Sequence, residues 1–129
     1  GERMKLEEKA HFISERPGRD RYFFELSPEE KSDLIAGDPL YGEVVCRCEQ
    51  ITKREIIDAI RNPLGVKTVS AVKYRARAMM GRCQGGFCLP RIVQIMREEF
   101  GFEPEDYLLR GGKSALFTGY VRDRKCCHA

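Results

Sequence analysis

Four of the six cysteines in this 129-residue chain stand in two short groups, Cys46-Arg47-Cys48 and Cys83-Gln84-Gly85-Gly86-Phe87-Cys88. In an extended segment, side chains two apart point to one side, so Cys46 and Cys48 can offer two sulfurs to one metal centre. A disulfide between them would close a small, strained ring. In the second group, Gly85 and Gly86 let the backbone turn tightly and bring its amides close to a bound anionic centre. Cys88 falls where a helix is expected to start, and the unsatisfied amides there favour negative charge. Four thiolates around two ferric ions and two sulfides carry net negative charge, and Arg47, Arg77 and Arg82 are placed to offset it. Zinc also accepts four cysteines, but its sites favour C-x2–4-C knuckles on both sides, and C-x-C is the poorer match. A pair of disulfides remains the third option for an even number of cysteines.

The segments around these groups read as helices. Ser27-Pro28-Glu29-Glu30 has the cap, first-turn proline and capping-box glutamate of a short helix to about Ala36, stopped by Gly37-Asp38-Pro39, with Leu34 and Ile35 as docking contacts. Tyr41 to Val45 then reads as an extended run delivering Cys46. Thr52-Lys53-Arg54-Glu55 is a second capping box, followed by Ile56, Ile57 and Ile60 at helical spacing up to Asn62-Pro63-Leu64-Gly65. A third helix is predicted from about Thr68 to Gly81, with Val69, Val72 and Ala76 inward and Lys73, Arg75 and Arg77 largely outward. A fourth runs from about Cys88 or Pro90 to Phe100, with Gly101 as its stop. Ala115 to Val121 is strand-like and is expected to pair with Tyr22 to Leu26. The 34 residues from 49 to 82 thus make a helical hairpin, whose cysteine loops can meet at one end.

Composition sets the bounds. The chain suits one compact domain plus arms, and its apolar fraction of 42% is ordinary, whereas charged residues reach 33%. Much of that excess lies in GERMKLEEK and SERPGRDR, read as an exposed arm. A formal charge of +3 permits an anionic partner without demanding nucleic acid. No apolar run is long enough to span a membrane, and no signal-peptide pattern opens the chain. A reducing compartment, the cytoplasm, is therefore expected, where clustered cysteines mean metal or redox chemistry. The start at Gly1, ahead of Met4, suggests a piece excised from a longer polypeptide. The expected organisation is an N-terminal arm over 1–26, a short docking helix over 27–41, a mainly α cysteine-bearing domain over 42–102, and a C-terminal strand with a flexible tail over 103–129.

The stretch VVCRCEQITKREIIDAI…TVSAVKYRARAMMGRCQGGFCLPRIVQIM resembles the bacterioferritin-associated-ferredoxin-like [2Fe–2S] domain. The C-x4-C spacing and the words RARAMMGRCQGGFC are most similar to the version at the C-terminus of FAD-dependent oxidoreductases of the anaerobic glycerol-3-phosphate dehydrogenase type. The small ferredoxin itself has a tighter second pair. The likeness covers roughly Glu43 to Gly101 and is weaker across SPEEKSDLI. It implies that Cys46, Cys48, Cys83 and Cys88 ligate a [2Fe–2S] cluster, and that the domain relays single electrons from FAD, in a separate domain of the parent chain, to a downstream acceptor. The fragment alone would not be an enzyme, and the parent would be a FAD-dependent dehydrogenase, which could sit against the inner face of the membrane. No G-x-G-x-x-G is present, so any flavin domain lies outside this sequence.

Other residues carry plainer readings. Cys126 and Cys127 diverge as neighbours in a charged tail and are left out of the site, and His11 and His128 have no partners at ligand spacing. Lys73-Tyr74-Arg75-Ala76-Arg77 is a solvated helix face that also offsets cluster charge, so no nucleic-acid partner is expected. Met79 and Met80 are expected to pack beside the site, and Phe87 to shield it from water. The competing functions are a structural zinc module that docks a partner, and a sensor that signals by losing its cluster.

Overall fold

Thr52 starts the central helix by exchanging hydrogen bonds with Glu55. Its hydroxyl accepts from the Glu55 amide, while the Glu55 carboxylate accepts from the Thr52 amide at 2.9 Å and from its hydroxyl at 3.0 Å. The helix that follows, α2 of the computed structural model, spans Lys53–Ile60 and buries Ile56, Ile57 and Ile60. The structure describes residues 22–63 and 66–118. The expected arm through residue 21, His11, and the tail with Cys126, Cys127 and His128 lie outside these residues.

The other helices follow their caps. Ser27 and Glu30 form the capping box of α1 (Pro28–Gly37), and the Thr68 hydroxyl accepts from the Ala71 amide to start α3 (Val69–Ala76). α4 spans Cys88–Phe100 and ends at Gly101, whose φ of 68° reverses the chain at little steric cost. α2 packs against both α3 and α4. The core runs from Ile51 through Ile56, Ile57, Val69, Val72 and Ala76 to Ile92, Ile95 and Met96, and Tyr107 closes it. The architecture is mainly helical, with the two cysteine loops near each other at one end.

Several local expectations are corrected. The third helix stops at Ala76, five residues short of Gly81, because Arg77 takes a left-handed conformation with φ 62°. The small sheet is not built from the ends of the chain. It joins β1 (Val44–Cys46) to β2 (Ile51–Thr52), antiparallel, with an irregularity between Val44 and Cys46. Phe23–Glu25 instead forms a 3-10 turn, because Glu25 folds back onto the Tyr22 amide at 2.7 Å and the Phe23 amide donates to buried Glu55. Ala115 makes a single bridge to Leu108, and residues 119–121 lie outside the described range. Extended backbone before Cys46 begins only at Val44, since Pro39–Gly42 is a 3-10 turn. Leu34 and Ile35 are each 38% exposed and Ile35 lies against Gly42, so α1 docks on the Pro39–Gly42 turn without fully burying an apolar stripe.

Candidate metal centre

Cys46 is the last residue of β1, and its side chain is 1% exposed. The chain then turns through residues 47–50, with Gln50 at φ 51°, so the alternation of a strand does not carry on to Cys48. Cys48 is consequently exposed although it lies only two residues away. The expectation that strand geometry aims the two sulfurs to one side is corrected to one deep and one shallow cysteine.

The second group divides the same way. Cys88 opens α4 and is 1% exposed, whereas Cys83 sits half-buried in the preceding turns. Those turns are tight: the Gln84 amide donates to Gly81 at 3.0 Å, the Gly86 amide to Cys83 at 2.9 Å, and the Leu89 amide to Gly85 at 2.9 Å. Gly85 needs its freedom, since its φ is 94° and a Cβ would meet the Met79 side chain at 3.2 Å.

The loops meet through their sulfurs. The Cys48 thiol donates to Cys83 Sγ at 3.6 Å, and Cys88 shares a side-chain hydrogen bond with Cys46. Among the described residues, no group of three or more His, Cys, Asp or Glu side chains is drawn together so as to hold a single metal ion. Cys88 also feels the charge of Cys83, so the two cysteine groups share one end of the hairpin.

Their electrostatics differ by depth. Cys83 is held below the ordinary thiol value, first by the Phe87 amide, then by the Gly85 amide, the Cys48 thiol and the Gly86 amide. Cys88 is pushed up to about 12, first by burial, then by the charge of Cys46 and the bond to it, while the Met79 amide pulls the other way. Amides donating to sulfur are the arrangement that stabilises anionic thiolates of a metal cluster. Around the rim, Arg47 and Arg82 are exposed, and Arg77 pairs with Glu49 at 3.4 Å. Phe87 does not shield the site as expected. It precedes α4 with 80% of its surface open, because its neighbour Cys88 takes the inward position. Met79 is buried and Met80 half-buried beside the loops, as packing residues. Two further groups join the site without a signal of their own in the sequence, Gly81 and the backbone amide of Met79. Gly81 is visible as a glycine, but its role depends on which loop lies against it.

A helical hairpin that brings four cysteines together, with backbone amides on their sulfurs, defines a class of cysteine-rich metal-binding modules. Residues 44–98 match the family model of the BFD-like [2Fe-2S] binding domain. This segment belongs to that family, and the cofactor of the domain is a [2Fe–2S] cluster. The chain is 48% identical over 115 residues to glycerol 3-phosphate dehydrogenase of Caloramator mitchellensis, covering 89% of this chain and 24% of that protein. It is 40% identical over 90 residues to an opine oxidase subunit of Rhizobium meliloti, covering 68% of this chain and 16% of that protein. Over 67 residues it is 39% identical to an anaerobic glycerol-3-phosphate dehydrogenase subunit of Haloferax volcanii, covering 52% of this chain and 11% of that protein. The chain thus spans a quarter or less of the length of these relatives. No solved structure matches it. A [2Fe–2S] domain found in oxidoreductase subunits supports an electron-transfer role, and no helix among the described residues is long and apolar enough to cross a membrane.

Proposed function

We propose that Cys46, Cys48, Cys83 and Cys88 hold the [2Fe–2S] cluster, and that the domain relays single electrons between a flavin and a downstream acceptor. The observation that carries this reading is the meeting of four thiols in two pairs inside the matched segment, with the Gly85, Gly86 and Phe87 amides on Cys83. The two contacts between loops suit a dinuclear cluster, which takes two thiolates at each of two irons, while the C-x-C group is a poor match to the C-x2–4-C knuckles of zinc sites. Bound there, the cluster supplies one-electron redox chemistry. The chain's own contribution is to bury Cys46 and Cys88, keep Cys48 and Cys83 near the surface, and offset negative charge with Arg47 and Arg82.

The relatives named as glycerol 3-phosphate dehydrogenases support placing the flavin, FAD, in the remainder of the parent chain and glycerol 3-phosphate as the parent's substrate. The cytoplasm suits this role. The test uses the full-length protein, reconstituted anaerobically with iron and sulfide. Equal iron and sulfide and a visible spectrum bleached by glycerol 3-phosphate after the flavin is reduced are expected. Cys83→Ser should leave flavin reduction intact and slow transfer to the acceptor by at least tenfold. Unchanged turnover in a cluster-free preparation would rule the relay out.

A further inference from the structure

Two thiolates bound to one tetrahedral metal ion at ~2.3 Å stand about 3.7 Å apart. Cys48 Sγ and Cys83 Sγ are 3.6 Å apart, although they belong to different loops and lie 35 positions apart in the chain. The two deep cysteines, Cys46 and Cys88, are each 1% exposed and also come from different loops, which leaves them as the second pair once Cys48 and Cys83 are matched. Neighbours in sequence, by contrast, are split between depths. Cys46 is buried and Cys48 exposed at the end of β1, and Cys88 is buried and Cys83 only half-buried before α4.

Gly81 stands where the loops touch. A Cβ placed on it would lie 2.2 Å from Cys48 Cβ, 3.4 Å from Cys48 Sγ and 3.3 Å from Glu49 Oε1. Its backbone does not occupy the left-handed region, so the requirement is for space and not for an unusual conformation. Gly81 also begins the turn that carries Cys83, because its carbonyl accepts from the Gln84 amide at 3.0 Å and from the Gln84 side chain at 2.9 Å. One residue therefore governs the approach of Cys48 and the placement of Cys83.

We propose that each iron is held across the two loops, the outer one by Cys48 and Cys83 and the inner one by Cys46 and Cys88, with Gly81 as the positioning residue that keeps the outer pair in register. This rests on the reading of the four cysteines as ligands. It makes neither cysteine group a self-sufficient half-site, so a cluster forms only when both loops are in place.

The pairing is read by Mössbauer spectroscopy of the oxidised, 57Fe-reconstituted protein. In Cys48→Ser/Cys83→Ser both changes fall on one iron, so about half of the iron should keep the wild-type doublet while the rest shifts. Loss of the wild-type doublet from all of the iron would overturn the cross-loop assignment, because any other pairing alters both irons. Where this variant assembles no cluster, a second measurement decides. The cluster-free protein with Cys126→Ser and Cys127→Ser is oxidised with diamide, which takes two electrons and two protons from each thiol pair to form a disulfide. Peptide mapping should find Cys48–Cys83 as the main crosslink; Cys46–Cys48 or Cys83–Cys88 in its place would refute the proposal. Gly81→Ala should lower the Cys48–Cys83 yield at least threefold, and an unchanged yield would remove Gly81 from its role. A wild-type protein that assembles no cluster defeats the ligand reading itself, and the crosslink map of the cluster-free protein tells that failure from a failure of the pairing.

Discussion

Cys88 and Cys83 show how two identical side chains acquire opposite chemistry a few residues apart. Burial penalises the Cys88 thiolate, and the charge and thiol of Cys46 add to the penalty, which together raise its value from 9.0 to about 12. Cys83 is lowered because the Phe87 and Gly85 amides donate to its sulfur. A raised value means that the folded state favours the neutral thiol. The contribution of Cys88 to the stability of the cluster-free protein is therefore complete below about pH 9 and is lost as pH climbs towards about 12. Urea unfolding of cluster-free protein should show a fall in stability as pH rises above about 9 that is weaker in Cys88→Ser, which has no thiol to ionise. Equal pH slopes in the two proteins would refute the assignment. Metal loading works against the same proton, since ligation needs the thiolate. Cluster assembly should release protons, and its yield should rise with pH from about 6.5 to about 8.5, followed by visible absorbance.

At the scale of elements, the capping box of α2 does more than start a helix. Glu55 is 1% exposed, and its carboxylate accepts from the Thr52 amide and hydroxyl and from the Phe23 amide, 32 residues away, at 3.2 Å. Glu55→Ala should cost about 2–3 kcal/mol, more than an exposed cap, because it strips a charged acceptor from buried donors. Glu55→Gln should cost less; the comparison is made by denaturant unfolding, and equal small losses would mean that the Phe23 tie is idle. The helices were readable because their signals are local: Ser27 with Glu30, Thr52 with Glu55, Thr68, and Gly101 all act within a few residues. The bond from Phe23 was not readable, and neither was the sheet. Both depend on contacts between segments, and the bent run after Cys46 breaks the alternation that a strand pattern assumes. Arg77 ended α3 early for a similar reason. Nothing in its type predicts a left-handed conformation, whereas its ion pair with Glu49 and its position over the Tyr22 ring, 5.9 Å from the centroid, come from distant segments. For the candidate site, spacing and resemblance single out the four cysteines, and the structure brings their two groups to one end of the hairpin. Their division into a deep and a shallow pair was not legible, since it depends on how one loop lies against the other.

At the scale of the whole molecule, the family match ends at residue 98, but the packing does not. Tyr107 is 2% exposed, and its hydroxyl, 3.1 Å from the carbonyls of both Val93 and Phe102, shares its one proton between them. The Val69 and Ser70 amides, two of the orphan donors at the start of α3, donate to Leu108 and Leu109 at 3.0 and 2.9 Å. A hairpin holds that segment down, with the Leu109 amide on Ser114 at 2.8 Å and the Leu116 amide on Tyr107 at 2.7 Å. α3 in turn leads into Ala78 and Met79, whose amide reaches Cys88, so the path from Tyr107 to the metal centre is continuous in structure. A chain ending after Gly101 would lose all of these contacts. Removing a buried aromatic costs about 3–5 kcal/mol, a large part of the roughly 5–15 kcal/mol that separates a typical domain from unfolding. The shortened chain should lose its secondary structure and its visible spectrum together, at a much lower denaturant concentration than the full chain. Tyr107→Phe, which keeps the ring and removes only the hydroxyl, should cost about 1 kcal/mol and leave the spectrum unchanged. A shortened chain with the full chain's midpoint would show that residues 103–118 are an appendage to a core that ends with α4; a collapsed midpoint beside a mild Tyr107→Phe would make the aromatic plug and the carbonyls that cap α3 part of what holds the cysteine loops in place.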